Sequence, residues 1–201
     1  GTHNIQMEDR TLVVYVEEVI VVPQPFGGLL SLLLDESGIL MSDAAHLVRG
    51  RVGVLDVGMH TTDLILVDGL EYIEAGSGSL EVGVSTALEM LRKVLLDEER
   101  VSYAAHELEA ALRRGWLVIR GQTMKLNGLA SDQLSRIAGS IEARARTLWN
   151  IDTLSAIVLV GGGSLALRPW LEPFFRQGIY APDAAMANAV GFLRYGMRKW
   201  K

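Results

Sequence analysis

Apolar positions change period several times along the chain, and each change predicts an element. Residues 11–22 (TLVVYVEEVIVV) are dense in β-branched side chains and predict a strand, bent near Glu17 and Glu18 and ended by Pro23 and Pro25. Residues 29–34 predict a short buried helix, and 43–48 a further helical turn. Residues 51–57 and 62–67 predict a hairpin, with a third strand over 70–75 after the turn signal Asp68-Gly69. Residues 80–96 carry Val84, Ala87, Leu88, Leu91, Val94 and Leu95 at helical spacing, and 102–113 predict a second amphipathic helix ending near Gly115. Residues 116–119 and 122–126 flank Arg120-Gly121 as a small hairpin. Residues 131–149 predict a long helix capped by Ser131 or Asp132, and 184–199 a last one. Between these two lies 156–160 (AIVLV), wholly apolar, as a strand buried on both faces would be.

Hairpin strands followed by helices alternating with strands predict an α/β fold, a mixed sheet flanked by helices. At 201 residues, 49% hydrophobic and 21% charged, the chain has the balance of a folded domain. A net charge of −5 and no basic run argue against direct nucleic-acid binding; the basic residues near the end (Arg194, Arg198, Lys199, Lys201) read as a helix end matched to its dipole. With no cysteine, thiolate chemistry, disulfides and Cys-based zinc sites are excluded. Nor do the histidines have partners at metal-ligand spacing. No apolar run approaches the roughly 20 residues of a membrane span, which makes a cytoplasmic protein the expectation. The chain begins GTHNIQMEDR without an initiator methionine, as a cloning remnant or a segment of a longer protein would.

Two glycine turns carry the candidate chemistry. In VGVLDVGMHTTDLILVDG (52–69) a strand breaks at Asp56-x-Gly58, and Thr61, Thr62 and Asp63 follow. Bare amides and hydroxyls suit a phosphate, and a carboxylate suits the Mg²⁺ that accompanies it; equally, Thr and Asp satisfy the backbone of an ordinary hairpin. The second turn, IVLVGGGS, sets Gly161, Gly162, Gly163 and Ser164 at the end of the buried strand, where open α/β sheets bind ligands. It lacks the spacing of a dinucleotide fingerprint. The segment Ser77-Gly78-Ser79 reads as a flexible loop.

Taken in this order, the two turns resemble those of the actin-like ATPase superfamily of actin, DnaK-type chaperones and sugar kinases. DVGMHTTD resembles its second phosphate loop, IVLVGGGS its adenosine loop, VIVVPQPFGG (19–28) its domain junction, and PDAAMANAVGFLRYG its closing helix. The nearest branches are the ParM-type and archaeal actin-like proteins. The resemblance implies a ribonuclease-H-like lobe with a small α+β subdomain inserted at about 80–130, residues 1–50 forming the junction and 51–201 the nucleotide-binding C-terminal lobe. It implies ATP/ADP and Mg²⁺ as cofactors, with Asp56 holding the metal, Gly58, Thr61 and Thr62 binding phosphates, and Gln24 orienting the attacking water. Gly161, Gly162, Gly163 and Ser164 would line the adenosine, with Glu81 or its neighbour Gly83 reaching the ribose or base.

The chain departs from that pattern twice. Met59-His60 stands where many relatives have Gly-Gly, which shifts phosphate contacts toward Thr61 and Thr62. The superfamily's first phosphate loop has no counterpart, so the resemblance covers one of two lobes, and this piece alone is expected to bind weakly and to be inactive in hydrolysis. The leading expectation is ATP hydrolysis coupled to filament self-assembly in the complete protein, for DNA segregation or cell shape. The alternatives are a nucleotide-binding scaffold without productive hydrolysis and a kinase-like phosphotransferase.

Overall fold

The computed structural model describes residues 1–200; Lys201, last of the basic C-terminal cluster, lies outside the described residues. A five-stranded sheet is built from β3 (Arg51–Val57), β4 (Thr62–Asp68), β5 (Glu71–Leu80), β8 (Ala156–Val160) and β9 (Gly178–Tyr180) in the order β5-β4-β3-β8-β9. The hairpin strands pair antiparallel, whereas β3–β8 and β8–β9 are parallel, the mixed sheet expected.

Strand parity sorts the core into two layers. Val52 and Val54 of β3 and Val158 and Val160 of β8 pack with α1 (Gln24–Leu33), α2 (Ala45–Val48) and the start of α9 (Ala187–Lys199). Leu55, Val57, Ile157 and Leu159 face the other way, toward α3 (Val84–Asp97), α4 (Ala105–Arg114), α6 (Ser131–Leu148), α7 (Gly162–Ala166) and α8 (Arg168–Leu171). On that second face Gly53 leaves room for the Trp149 ring, which a Cβ would meet at 2.7 Å, and Trp149 Nε1 donates to the Gly76 carbonyl at 2.6 Å. The ribbon β6 (Trp116–Ile119) and β7 (Gln122–Lys125), with α5 (Leu126–Leu129), shares this core through Leu117, Ile119 and Leu126. By the same parity Asp56 belongs to the α1/α9 face, at the end of β3.

Several boundaries differ from expectation. The strand predicted over 11–22 is β2 (Arg10–Tyr15), paired with β1 (Thr2–Met7). Val16 still exchanges backbone bonds with Gly1, but beyond it 17–22 form no ladder with any described residue despite their β-branched side chains, and Val21 is 91% exposed. An apolar hollow of about 420 Å³ separates Ile20 and Val22 from Phe192, Tyr195 and Trp200.

Helix α1 begins at Gln24, five residues before the predicted start. Pro23 caps it and Pro25 sits in the first turn, where a missing N–H costs nothing. Its Gly27-Gly28 pair, which the sequence places at the end of the junction segment, is where α9 crosses. The supposed loop 77–79 is strand, because β4 offers it partners (Asp63↔Ser79, Leu64↔Gly78), and Ser77 fills the bulge by accepting from Leu66 N–H and donating to Ile73 O. Neither Ser131 nor Asp132 caps α6: Ala130 is its N-cap, with no side-chain bond. Strand β9, three residues long, gave no periodic signal. At the other end of α9, Arg194 is more than a solvated cation, for its Nη1 donates to the Ser31 and Leu34 carbonyls at the C-terminus of α1.

Candidate functional site

Asp56 is the one buried carboxylate among the described residues, 4% exposed. Its Oδ2 accepts from Gln24 Nε2 at 3.0 Å and from Asn188 Nδ2 at 2.7 Å, so both donors come from helix N-termini on the face that strand parity assigned to it. Its Oδ1 lies against Gly161, where an added Cβ would stand 2.4 Å away. Gly161 has φ +80°, so both its backbone and its surroundings require glycine. No basic side chain pairs with Asp56 among the described residues. Two neutral amides therefore solvate a buried charge that lacks a counter-ion.

The turn after β3 is oriented by α3. Val84 N–H donates to Gly58 O at 3.1 Å and Ser85 N–H to Met59 O at 2.8 Å, which satisfies two of the orphan amides of that helix. In a trans peptide the carbonyl and the following N–H point in opposite directions. The amides of Met59 and His60 consequently point away from α3, and neither has an acceptor among the described residues. Gly83 permits this approach, since a Cβ there would lie 2.8 Å from the Gly58 and Met59 carbonyls. The Met59 side chain is 45% exposed, and the His60 ring is exposed and bonds through Nδ1 to Ser85 Oγ at 3.2 Å. Their bulk thus lies on side chains and leaves the two amides open.

The other predicted residues divide between surface and support. Gly58 N–H closes the turn on Thr61 O at 2.8 Å, and the half-buried Thr61 Oγ1 is 3.4 Å from Asp63 Oδ2. Thr62 is fully buried, and its hydroxyl is committed to Val82 O at 2.7 Å. Similarly, Ser164 is fully buried and donates to Gly161 O at 2.8 Å. These two hydroxyls brace the turns. Gly163 packs on Val57 and Val84, whereas Gly162 has an open face, with only Ala185 Cβ within reach of an added Cβ, at 3.8 Å. Glu81 is exposed and makes no hydrogen bond among the described residues. Thr62→Val should cost about 1–3 kcal/mol of stability by leaving the Val82 carbonyl unpaired, with Thr62→Ser close to wild type in a thermal melt.

The two turns meet at a pocket of about 90 Å³ lined by Gly58, Met59, Gly162 and Gly163, with Glu109 and Arg113 of α4 at its rim. Arg113 pairs with Glu109 at 2.6 Å. Neither Glu109 nor Asn188 was singled out from the sequence. Position in the closing motif ANAVGF was the only available signal for Asn188; for the α4 pair there was only an i,i+4 spacing common on any exposed helix.

A family model described as archaeal actin homologue MreB-like, C-terminal, matches residues 54–173. No curated protein matches the sequence. Among solved structures, an archaeal actin homologue superposes with TM-score 0.79 at 22% identity, over 96% of this chain and 59% of that one; the same protein is also solved in complex with ADP. A ParM from a 15-stranded filament of Clostridium botulinum matches with TM-score 0.71 at 19% identity, over 98% and 60% of the two chains. A Bacillus thuringiensis ParM solved with ATP matches with TM-score 0.69 at 13% identity, over 100% and 62%. This chain thus spans about three fifths of the length of the structures it matches, and it shares their fold. With the two glycine turns set at the ends of β3 and β8 and the family model spanning both, the chain belongs to the MreB-like archaeal actin homologues and corresponds to their C-terminal region.

Proposed function

We propose that this chain is the nucleotide-binding C-terminal lobe of an actin-like ATPase, in which Mg-ATP binding and hydrolysis are coupled to filament assembly in the cytoplasm. The observation that carries the reading is the pairing of the outward amides of Met59 and His60 with the buried, uncompensated Asp56. An anion cradle and a cation anchor stand side by side on one turn. Residues 51–201 form the lobe in this reading, with about 80–130 as its inserted subdomain and 1–50 as the junction.

The residues fit a hydrated divalent cation at Asp56. Oδ2 is saturated by two amide donors, and Oδ1 is crowded by the Gly161 backbone, an arrangement suited to contact through water. Bound there, Mg²⁺ would neutralise charge on the phosphates. The amides of Met59 and His60, with the Thr61 hydroxyl, bind the phosphate oxygens. Gly162 admits the flat face of the base, and the Glu109–Arg113 pair offers an acceptor and donors to ribose hydroxyls. Because Gln24 gives its Nε2 to Asp56, its Oε1 is the end left to accept a bond from water. Gln24 therefore orients the nucleophile and does not deprotonate it.

The pocket is far smaller than the roughly 300–1,000 Å³ of a complete ligand site. A second lobe, carrying the other phosphate loop, supplies the rest. Tight binding and hydrolysis belong to the complete protein, which should pellet with ATP and release phosphate. Nucleotide binding without either would favour a scaffold; release only on addition of a small metabolite would favour a kinase. In the complete protein Gln24→Ala should lower phosphate release by about tenfold to a hundredfold, 1.4–2.8 kcal/mol of barrier, with nucleotide affinity within about twofold. Unchanged turnover in that variant would remove Gln24 from the mechanism.

A further inference from the structure

We infer that Asn188 is a positioning residue that fixes the Asp56 carboxylate, and through it the Gln24 side chain. The inference rests on the proposed nucleotide reading only for its functional consequence; the geometry stands by itself. Asn188 donates to the same oxygen, Oδ2, that receives Gln24, and its bond is the shorter of the two, 2.7 Å against 3.0 Å. Hydrogen bonds to a carboxylate are among the stronger ones in proteins and fix the plane of the group.

Asn188 is itself held in place by close helix packing. A Cβ on Gly27 would meet the Asn188 backbone oxygen at 2.6 Å, and one on Gly28 would meet Asn188 Oδ1 at 3.1 Å. Three residues further along α9, Gly191 lies so near α1 that a Cβ would stand 1.7 Å from the Gly27 oxygen. The start of α9 therefore has little freedom to slide on α1. Asn188 Oδ1 is buried and accepts no hydrogen bond among the described residues, so the polar anchor of its side chain is the bond to Asp56.

Two donors on Oδ2 fill both of its lone-pair directions. With Asn188 occupying one, Gln24 has a single direction of approach, which sets where its Oε1 points. Without Asn188 the carboxylate is held on Oδ2 by Gln24 alone, and the second direction of approach is open to Gln24. Asn188 thus ties the placement of α9 against α1 to the orientation of the group assigned to the attacking water. Nothing in the sequence marks this link, because Asn188 and Asp56 are 132 residues apart.

The test has a ligand-free arm and a loaded arm, both on the complete ¹⁵N-labelled protein. Without nucleotide, the Gln24 side-chain amide, assigned by its loss in Gln24→Ala, is followed by NMR in wild type, Asn188→Ala and Asn188→Asp. Asn188→Asp is isosteric but loses the donor, and Asn188→Ala guards against a folding defect caused by the added charge. The expected result is a shifted or broadened Gln24 amide in both, with backbone spectra otherwise close to wild type. In the loaded arm, the Mg²⁺ concentration giving half-maximal enhancement of ADP binding should change by about tenfold in Asn188→Ala, with Mg²⁺-free ADP affinity within about twofold. A Gln24 amide resonance identical to wild type in both variants would overturn the inference. A shifted resonance in a protein whose wild type binds no ADP would uphold the positioning role and reject the nucleotide reading.

Discussion

Asp56→Ala is expected to abolish the Mg²⁺-dependent part of nucleotide binding in the complete protein. The carboxylate is the only one buried among the described residues, and Asp63, its cross-strand partner, is half-buried with its Oδ2 beside the Thr61 hydroxyl. Removing one partner of a buried charge contact costs about 3–5 kcal/mol, which is two decades or more in affinity. The loss should appear in titrations with Mg²⁺ and shrink when both wild type and variant are measured in chelator, where only the phosphate cradle acts. Stability should fall as well, by about 1–3 kcal/mol, because the Gln24 and Asn188 amides lose their shared acceptor. Asp56→Asn separates the two effects: it keeps the volume and loses the charge. A variant that binds nucleotide with wild-type Mg²⁺ dependence would remove the cation from this turn.

The second large effect is expected at the helix crossing. Gly191→Ala places a methyl 1.7 Å from the Gly27 oxygen and 2.8 Å from Ser31 N, so α9 and α1 must separate. Overpacking of this kind costs about 1–3 kcal/mol, occasionally more, and backbone atoms on the receiving side put this site at the upper end. The roughly 1 kcal/mol gain in helix propensity does not offset it. For a domain of this size about 3 kcal/mol corresponds to a midpoint lower by roughly 6–12 °C in a thermal melt. Gly196→Ala, on the same helix, is the matched control. Its Cβ would meet only the Trp200 ring, at 3.3 Å, and the variant should melt at or slightly above wild type. Similar melting of the two variants would mean that the close crossing is not a determinant of stability.

These two sites differ in how far the sequence announces them. Asp56 stood out because a carboxylate beside Gly58, at the end of an apolar strand, is an uncommon thing to find without a purpose. Gly191 did not, since a lone glycine in an amphipathic helix pattern reads only as a weak point. Its neighbours Gly27 and Gly28 were read as the end of the junction, and the helix was placed after them; all three glycines are instead the contact between α1 and α9.

By itself the sequence determined the order of the longer elements, the burial of 156–160 on both faces, and the position of both glycine turns at strand ends. These features depend on neighbours a few residues apart, where period and turn chemistry act directly. It also put Asp56 on the same side of β3 as Val52 and Val54, because alternate residues of a strand share a face. The tertiary structure decided the rest. Only packing brought Gln24 and Asn188 to one carboxylate oxygen from 32 and 132 residues away. Only the approach of α3 turned the Met59 and His60 amides outward, and only the surrounding carbonyls committed Thr62 and Ser164 to bracing the turns. Residues 17–22 show the same limit from the other side: their side chains favour a strand, yet a ladder requires a partner backbone, and they make none with the described residues.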